Sequence, residues 1–146
     1  MKRFASAVAL VFSFLVSPAV LAQNPPPTPA PSAPQKWVPP IKGVATIQVI
    51  RESKVVGKEL VTKLKIKNTS TGAIHLLKID ETWYDKKREV VTGGQGIYRK
   101  PFLPGEIIDI EIKSPMRGQP DISQFVFRHA NGRVDAKVVK KFAETT

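Results

Sequence analysis

The stretch HLLKIDETWYDKKREVV, residues 75–91, contains a histidine, several acids, a tyrosine and a tryptophan, the residue types from which active sites are assembled. Its order obeys a simpler rule. His75, Leu77, Ile79, Glu81 and Trp83 fall on one face of an extended chain, and Leu76, Lys78, Asp80, Thr82 and Tyr84 on the other, because successive side chains of a strand point to opposite sides. The DKKRE segment then reverses the chain, with Asp85 suited to the first position of a turn. Val90 and Val91 open a further short strand. The reading is therefore strand, turn, strand.

The same period of two runs through the rest of the chain, and no long helical pattern competes with it. In VATIQVIRE, Ala45, Ile47 and Val49 alternate with Thr46 and Gln48; in LVTKLKIKN, Leu60, Leu64 and Ile66 alternate with Lys63, Lys65 and Lys67. NTSTG after Lys67 is a turn whose side chains suit hydrogen bonds to their own backbone. It includes the sequon Asn68-Thr69-Ser70, which matters only in a glycosylating secretory pathway. TGGQG, residues 92–96, reads as a flexible loop, and Pro104-Gly105 as a turn before EIIDIEIK, where Ile108, Ile110 and Ile112 alternate with Asp109 and Glu111. DISQFVFRHA and RVDAKVVKKF flank Asn131-Gly132, the dipeptide that best tolerates a two-residue type I′ turn. A hairpin is expected there, with Phe125 and Phe127 opposite the strand from Val134 to Val138.

Seven or eight short strands without helices to cover them point to two antiparallel sheets packed face to face. The expected fold class is all-β, an immunoglobulin-like antiparallel β-sandwich over residues 43–146. The chain contains no Cys, so the fold must be held by packing alone, and a domain of this size buries roughly two-thirds of its unfolded surface.

The N-terminal residues carry an address. Lys2 and Arg3 precede an apolar run, and Val20 and Ala22 fit the −3 and −1 positions of a signal-peptidase site, so residues 1–22 read as an export signal. An uncleaved anchor helix is the alternative, since the run nearly reaches membrane-spanning length. Without a Cys after the run, no lipoprotein anchor can form. Residues 23–42 are dominated by Pro, Ala and polar groups, a composition that favours an extended, disordered linker. The protein is expected outside the cytoplasm, in the periplasm or secreted, with no stable membrane anchor after cleavage.

A resemblance enters with KNTSTGAIHLLKIDETWYDKKREVV and the later FLPGE. Together they resemble the FxLYD family of small exported immunoglobulin-like bacterial domains. Tyr84-Asp85 and Leu103-Pro104-Gly105-Glu106 carry the likeness, while Glu81 and Trp83 stand where the family pattern has Phe and Leu. It spans about residues 44–113. It implies a binding or accessory module and brings no catalytic residue with it.

Several groups invite a chemical reading. His75 and His129 would approach one another if their strands pair, and Asp80 or Asp135 would have to complete a zinc site, which needs three or four ligands; two half-buried strand residues explain them more simply. Glu81 falls by parity on the buried face, where an unpaired carboxylate is costly, so it is expected either near an edge or paired with a cation such as Arg99, Lys100 or Arg128. GGQG has no following Lys-Ser/Thr or helix, so it is not a phosphate loop, and no nucleophile sits in a recognisable elbow. No catalytic residue, metal site or cofactor is expected.

Charge is the last feature. With Lys2 and Arg3 lost in the leader, 21 basic residues face 12 acidic ones, a net charge of +9. Lys63, Lys65 and Lys67 form a stripe, Lys86, Lys87 and Arg88 a basic turn, and Lys137, Lys140 and Lys141 crowd the last strand. Were two of these groups to merge on one sheet, an anion-binding surface would result. Exposed lysines also guard strands against edge-to-edge aggregation. The leading expectation is a non-catalytic exported module that recognises a protein or envelope component. The second is a basic-surface binder of polyanions such as envelope polysaccharide, lipid head groups or nucleic acid.

Overall fold

The computed structural model describes residues 37–143; the expected export signal and most of the expected Pro-rich linker lie outside the described residues. Seven strands form the domain: β1 (Gly43–Val56), β2 (Glu59–Asn68), β3 (Leu77–Tyr84), β4 (Val90–Tyr98), β5 (Ile107–Pro115), β6 (Ile122–His129) and β7 (Gly132–Val138). They are hydrogen-bonded in the order β4-β3-β6-β7-β1-β2-β5. The sheet folds over on itself, so β4-β3-β6 forms one layer and β7-β1-β2-β5 the other. This is the expected all-β sandwich with one correction. The sheet is mixed, because β7 runs parallel to β1 from Gly43↔Gly132 to Val49↔Val138.

Alternation sets the core. Ala45, Ile47, Val49, Leu64, Ile66, Leu77, Ile79, Ile112 and Phe127 close the space between the layers, with Phe102 and Ile74 buried beside them. Each such large aliphatic or aromatic side chain contributes about 1.5–3 kcal/mol by leaving water. Phe102 meets the edge of the Tyr98 ring at 5.9 Å between centroids. The end of the proline-rich stretch also belongs to the domain: Ile41 donates its N–H to the Ala73 carbonyl at 2.9 Å, Ala73 donates back to Pro39, and Ile41 packs on the core.

The turns follow their sequences. Asp85 Oδ1 accepts the N–H groups of Lys87 and Glu89 at 2.8 and 3.0 Å, with Arg88 at φ 69° completing the reversal. Gly105 sits at φ 78°, and the Glu106 carboxylate accepts the Leu103 N–H at 2.7 Å. Asn68 is wholly buried; its amide donates to the Gly72 and Phe102 carbonyls and its Oδ1 accepts the Ser70 N–H. The sequon asparagine is thus a structural clasp between two loops.

Three local expectations need correction. His75 and Leu76 stand outside β3, since Leu76 at φ 53° breaks the extended backbone just before the strand. TGGQG is no loop but the middle of β4. Its glycines are there for closeness: a Cβ on Gly94 would lie 2.6 Å from Ile112 Cγ2, and one on Gly96 2.8 Å from Ile110 Cγ2. Thr92 Oγ1 donates to the Pro115 carbonyl at 2.7 Å across the same seam, so β4 and β5 close one side of the sandwich without a ladder between them.

The third correction concerns the last hairpin. The turn residues are Ala130 and Asn131, one step earlier than expected, and neither has a positive φ. Gly132 is required for another reason, because a Cβ there would run into the Gly43 carbonyl. The hairpin ladder stops after Arg128↔Arg133 and His129↔Gly132. Beyond it β7 leaves β6 for β1, so Phe125 and Phe127 do not face the rest of β7. The hairpin tip is tied to the start of β1, with Gly43 N–H donating to the Asn131 carbonyl at 3.0 Å and His129 Nε2 hydrogen-bonded to Gly43 O at 2.9 Å. That tether commits β7 to β1.

Candidate functional site: an open seam between β6 and β7

The divergence of β6 and β7 leaves a groove of about 760 Å³. One wall carries Ser123, Phe125 and Phe127 from β6, the other Val134, Ala136 and Val138 from β7, and Val49 and Arg51 of β1 line it as well. By strand parity these side chains belong to the interior face, since Val134 pairs with buried Ala45. Yet Ala136 is exposed, Val138 is 59% exposed, and Phe125 is half-buried. The sandwich is sealed at the β4–β5 side and open here. Among the described residues no strand pairs with the β7-facing edge of β6 from Ile122 to Phe127.

Arg51 stands at one end of this groove. Its guanidinium lies 5.7 Å from the centroid of the Phe125 ring and donates to Ser123 Oγ at 3.3 Å. An arginine over an aromatic face is attracted by the ring quadrupole, so the cation is held on the apolar wall. Phe125 and Phe127 stack on one another at 6.0 Å, extending that wall toward the hairpin.

Behind Arg51 lies Glu81, 2% exposed as its parity requires. The expected cationic partner among Arg99, Lys100 and Arg128 is not what holds it. Arg128 reaches Asp80 instead, at 3.5 Å on the opposite face of β3. Glu81 Oε1 accepts the Thr62 hydroxyl at 2.8 Å, and Thr62 shares a 2.9 Å hydrogen bond with Ser53. With the single Thr62 proton committed to Glu81, Ser53 is the donor to Thr62. Burial raises the Glu81 pKa above the ordinary 4.5; the Thr62 hydrogen bond, the nearby Trp83 and Ser114 donors and the charge of Arg51 offset part of that rise. Oε2, the Trp83 indole N–H and the Ser114 hydroxyl are each buried without a well-aligned partner, so the nearby donors moderate the charge without completing a bond. The Ser53 end of this hydroxyl chain opens on a cleft of about 190 Å³ lined by Arg51, Trp83 and Asp121.

The basic residues divide. Lys63, Lys65 and Lys67 do form one stripe on the outer face of β2, but β2 is an interior strand flanked by acids. Lys63 is in register with Glu52 on β1 and Glu111 on β5, and Lys65 with Asp109, which its ammonium approaches at 4.0 Å. Lys67 donates to the Ala143 carbonyl at 3.0 Å. Lys137 joins the same outer face through Gln48, which is in register with both Lys137 and Lys67. Lys140 and Lys141 follow β7 and are exposed. Lys86, Lys87 and Arg88 occupy the β3–β4 turn, in the other layer. The nine residues therefore do not make one surface. Lys78, Arg128 and Arg133, which sequence order conceals, come side by side across β3, β6 and β7.

The two histidines do come to the same end of the fold, where the His75 carbonyl accepts the Ala130 N–H at 2.9 Å. His129 is already engaged at both nitrogens. Nδ1 accepts the Asn131 N–H at 3.3 Å, so Nε2 carries the hydrogen that it donates to Gly43. Asp80 is on the outer face with Gln95 and Arg128, and Asp135 points out from β7. Among the described residues no three His, Cys, Asp or Glu side chains converge on a common point.

No family model, curated protein or solved structure matches the chain.

Proposed function

We propose that the chain is an exported, non-catalytic module, periplasmic or secreted, that recognises another protein or a component of the cell envelope. The observation that carries this reading is the open β6–β7 seam. Apolar side chains whose parity assigns them to the core are exposed at Ala136 and Val138 and only half-buried at Phe125, and an exposed apolar groove of this kind marks an interaction site. The Glu81 carboxyl is 2% exposed and accepts the Thr62 hydroxyl inside the sandwich, a setting that supports a structural part for it. The resemblance to FxLYD domains agrees, with Tyr84 ending β3, Asp85 organising the turn and Leu103-Pro104-Gly105-Glu106 forming the corner before β5.

Crosslinking from envelope extracts of the native host tests the proposal. The processed protein should retain a defined component that Ala136→Arg, which fills the groove from an exposed position, fails to retain. Hydrolytic turnover abolished by Glu81→Gln would refute it.

Polyanion binding is the second reading, and the row of Lys78, Arg128 and Arg133 is the observation in its favour. The acids beside Lys63 and Lys65 weigh against the β2 stripe as its seat. Elution from heparin above physiological ionic strength, and a shift to lower salt on Arg128→Gln with Arg133→Gln, is what that reading requires, because each lost phosphate-type contact lowers the salt slope.

A further inference from the structure

We propose that the β6–β7 seam takes an extended segment of another protein as an added β-strand, seated antiparallel on the free edge of β6 and bearing alternate apolar side chains with a carboxylate side chain near its C-terminal end. The inference rests on the binding-module reading above and specifies how the partner is held.

The edge comes first. An unpaired strand edge presents a row of N–H and C=O groups ready to pair with another chain, and adding a strand to such an edge is an established way to bind peptides. The β6 edge beside Ile122–Phe127 is such a row, with β3 paired on its other side. Sandwich proteins usually cover it with the strand that follows. Here β7 is drawn to β1 by the Gly43 tether, so the place an antiparallel neighbour would occupy is groove.

The side chains set the order of the guest. A strand antiparallel to β6 starts beside Phe127, near the hairpin, and ends beside Ser123. Every second residue would point inward, between Phe127 and Phe125 on one wall and Val134 and Ala136 on the other, a lining that suits valine or isoleucine. At the Ser123 end the lining changes to Arg51, a cation fixed over Phe125 and exposed to the groove. Charge complementarity there selects an acidic side chain. Residues 23–35 are rich in proline, which lacks the N–H a ladder needs, so their sequence does not meet what this edge asks of a guest.

The probe is a short capped peptide that alternates valine with threonine and ends in glutamate, added to the processed protein and followed by amide hydrogen exchange. At a free peptide concentration ten times Kd, the newly paired amides of β6 should exchange about tenfold more slowly, while β2 and β5 amides are unaffected. Replacing the glutamate by lysine should weaken binding about fivefold, as loss of a partly exposed ion pair implies, and Arg51→Glu should reverse that preference. Ala136→Arg should abolish protection with its thermal midpoint unchanged. Absence of β6 protection, or equal binding of both peptides to wild type, overturns the proposal. So does concentration-dependent dimerisation in sedimentation that Ala136→Arg abolishes, because the groove would then be filled by a second copy. If peptides fail while the envelope capture still succeeds, the module binds by another surface and only strand addition falls.

Discussion

Gly94→Ala is the sharpest test of how the sandwich is closed. The added methyl would stand 2.6 Å from Ile112 Cγ2, 2.6 Å from Ser114 Oγ and 2.9 Å from the Lys113 carbonyl oxygen. None of these can yield cheaply. Ile112 and Ser114 are wholly buried, and the third contact is backbone. Overpacking of this sort costs about 1–3 kcal/mol, and the stiffer unfolded chain returns only about 0.4–1 kcal/mol. A net loss of about 1–2 kcal/mol follows, which for a domain near 100 residues is a fall of about 4–16 °C in Tm. Gly105→Ala serves as the contrast: nothing lies within 4 Å of its Cβ, and its cost, about 1 kcal/mol, comes from φ 78° alone. Chemical denaturation of both variants, alone and combined with Ser114→Ala, separates the mechanisms. Ser114→Ala should recover part of the Gly94→Ala loss and none of the Gly105→Ala loss. A Gly94→Ala protein as stable as wild type would refute the close approach of β4 and β5, and with it the contrast between a sealed β4–β5 side and an open β6–β7 side.

Glu81→Gln should change the pH dependence of stability. Because burial raises the folded-state pKa of Glu81 above 4.5, the favourable contribution of its neutral form is present in acid and is lost as pH rises through the folded value. Wild type should therefore lose stability relative to Glu81→Gln as pH rises above 4.5, and urea midpoints that stay parallel through that rise would contradict the assignment. Asn68→Ala strips hydrogen bonds from the Gly72 and Phe102 carbonyls and the Ser70 N–H; at about 1 kcal/mol each the loss is about 3 kcal/mol, and a loss below about 1 kcal/mol by urea titration would show that the clasp is not structural. His129→Ala removes the tether from hairpin to β1 and should lower stability by about 1–2 kcal/mol, with faster amide exchange at Gly43; unchanged exchange there would detach β7's choice of partner from this histidine.

The period of two in the sequence was enough to identify most of the strands and their buried faces, because alternation is a local property that any half-buried strand must show. It also put Glu81 in the interior and Asp85 in a turn. What alternation cannot carry is the identity of a strand's neighbour. The acids that answer Lys63 and Lys65 come from β1 and β5, far along the chain. The glycines of β4 look like a loop until Ile110 and Ile112 arrive against them. The seam was hidden for the same reason. Residues 130–132 promise a full hairpin by local propensity, and only the contact of Gly43 with the hairpin tip, set by folding the whole chain, turns β7 toward β1 and leaves β6 with an open edge.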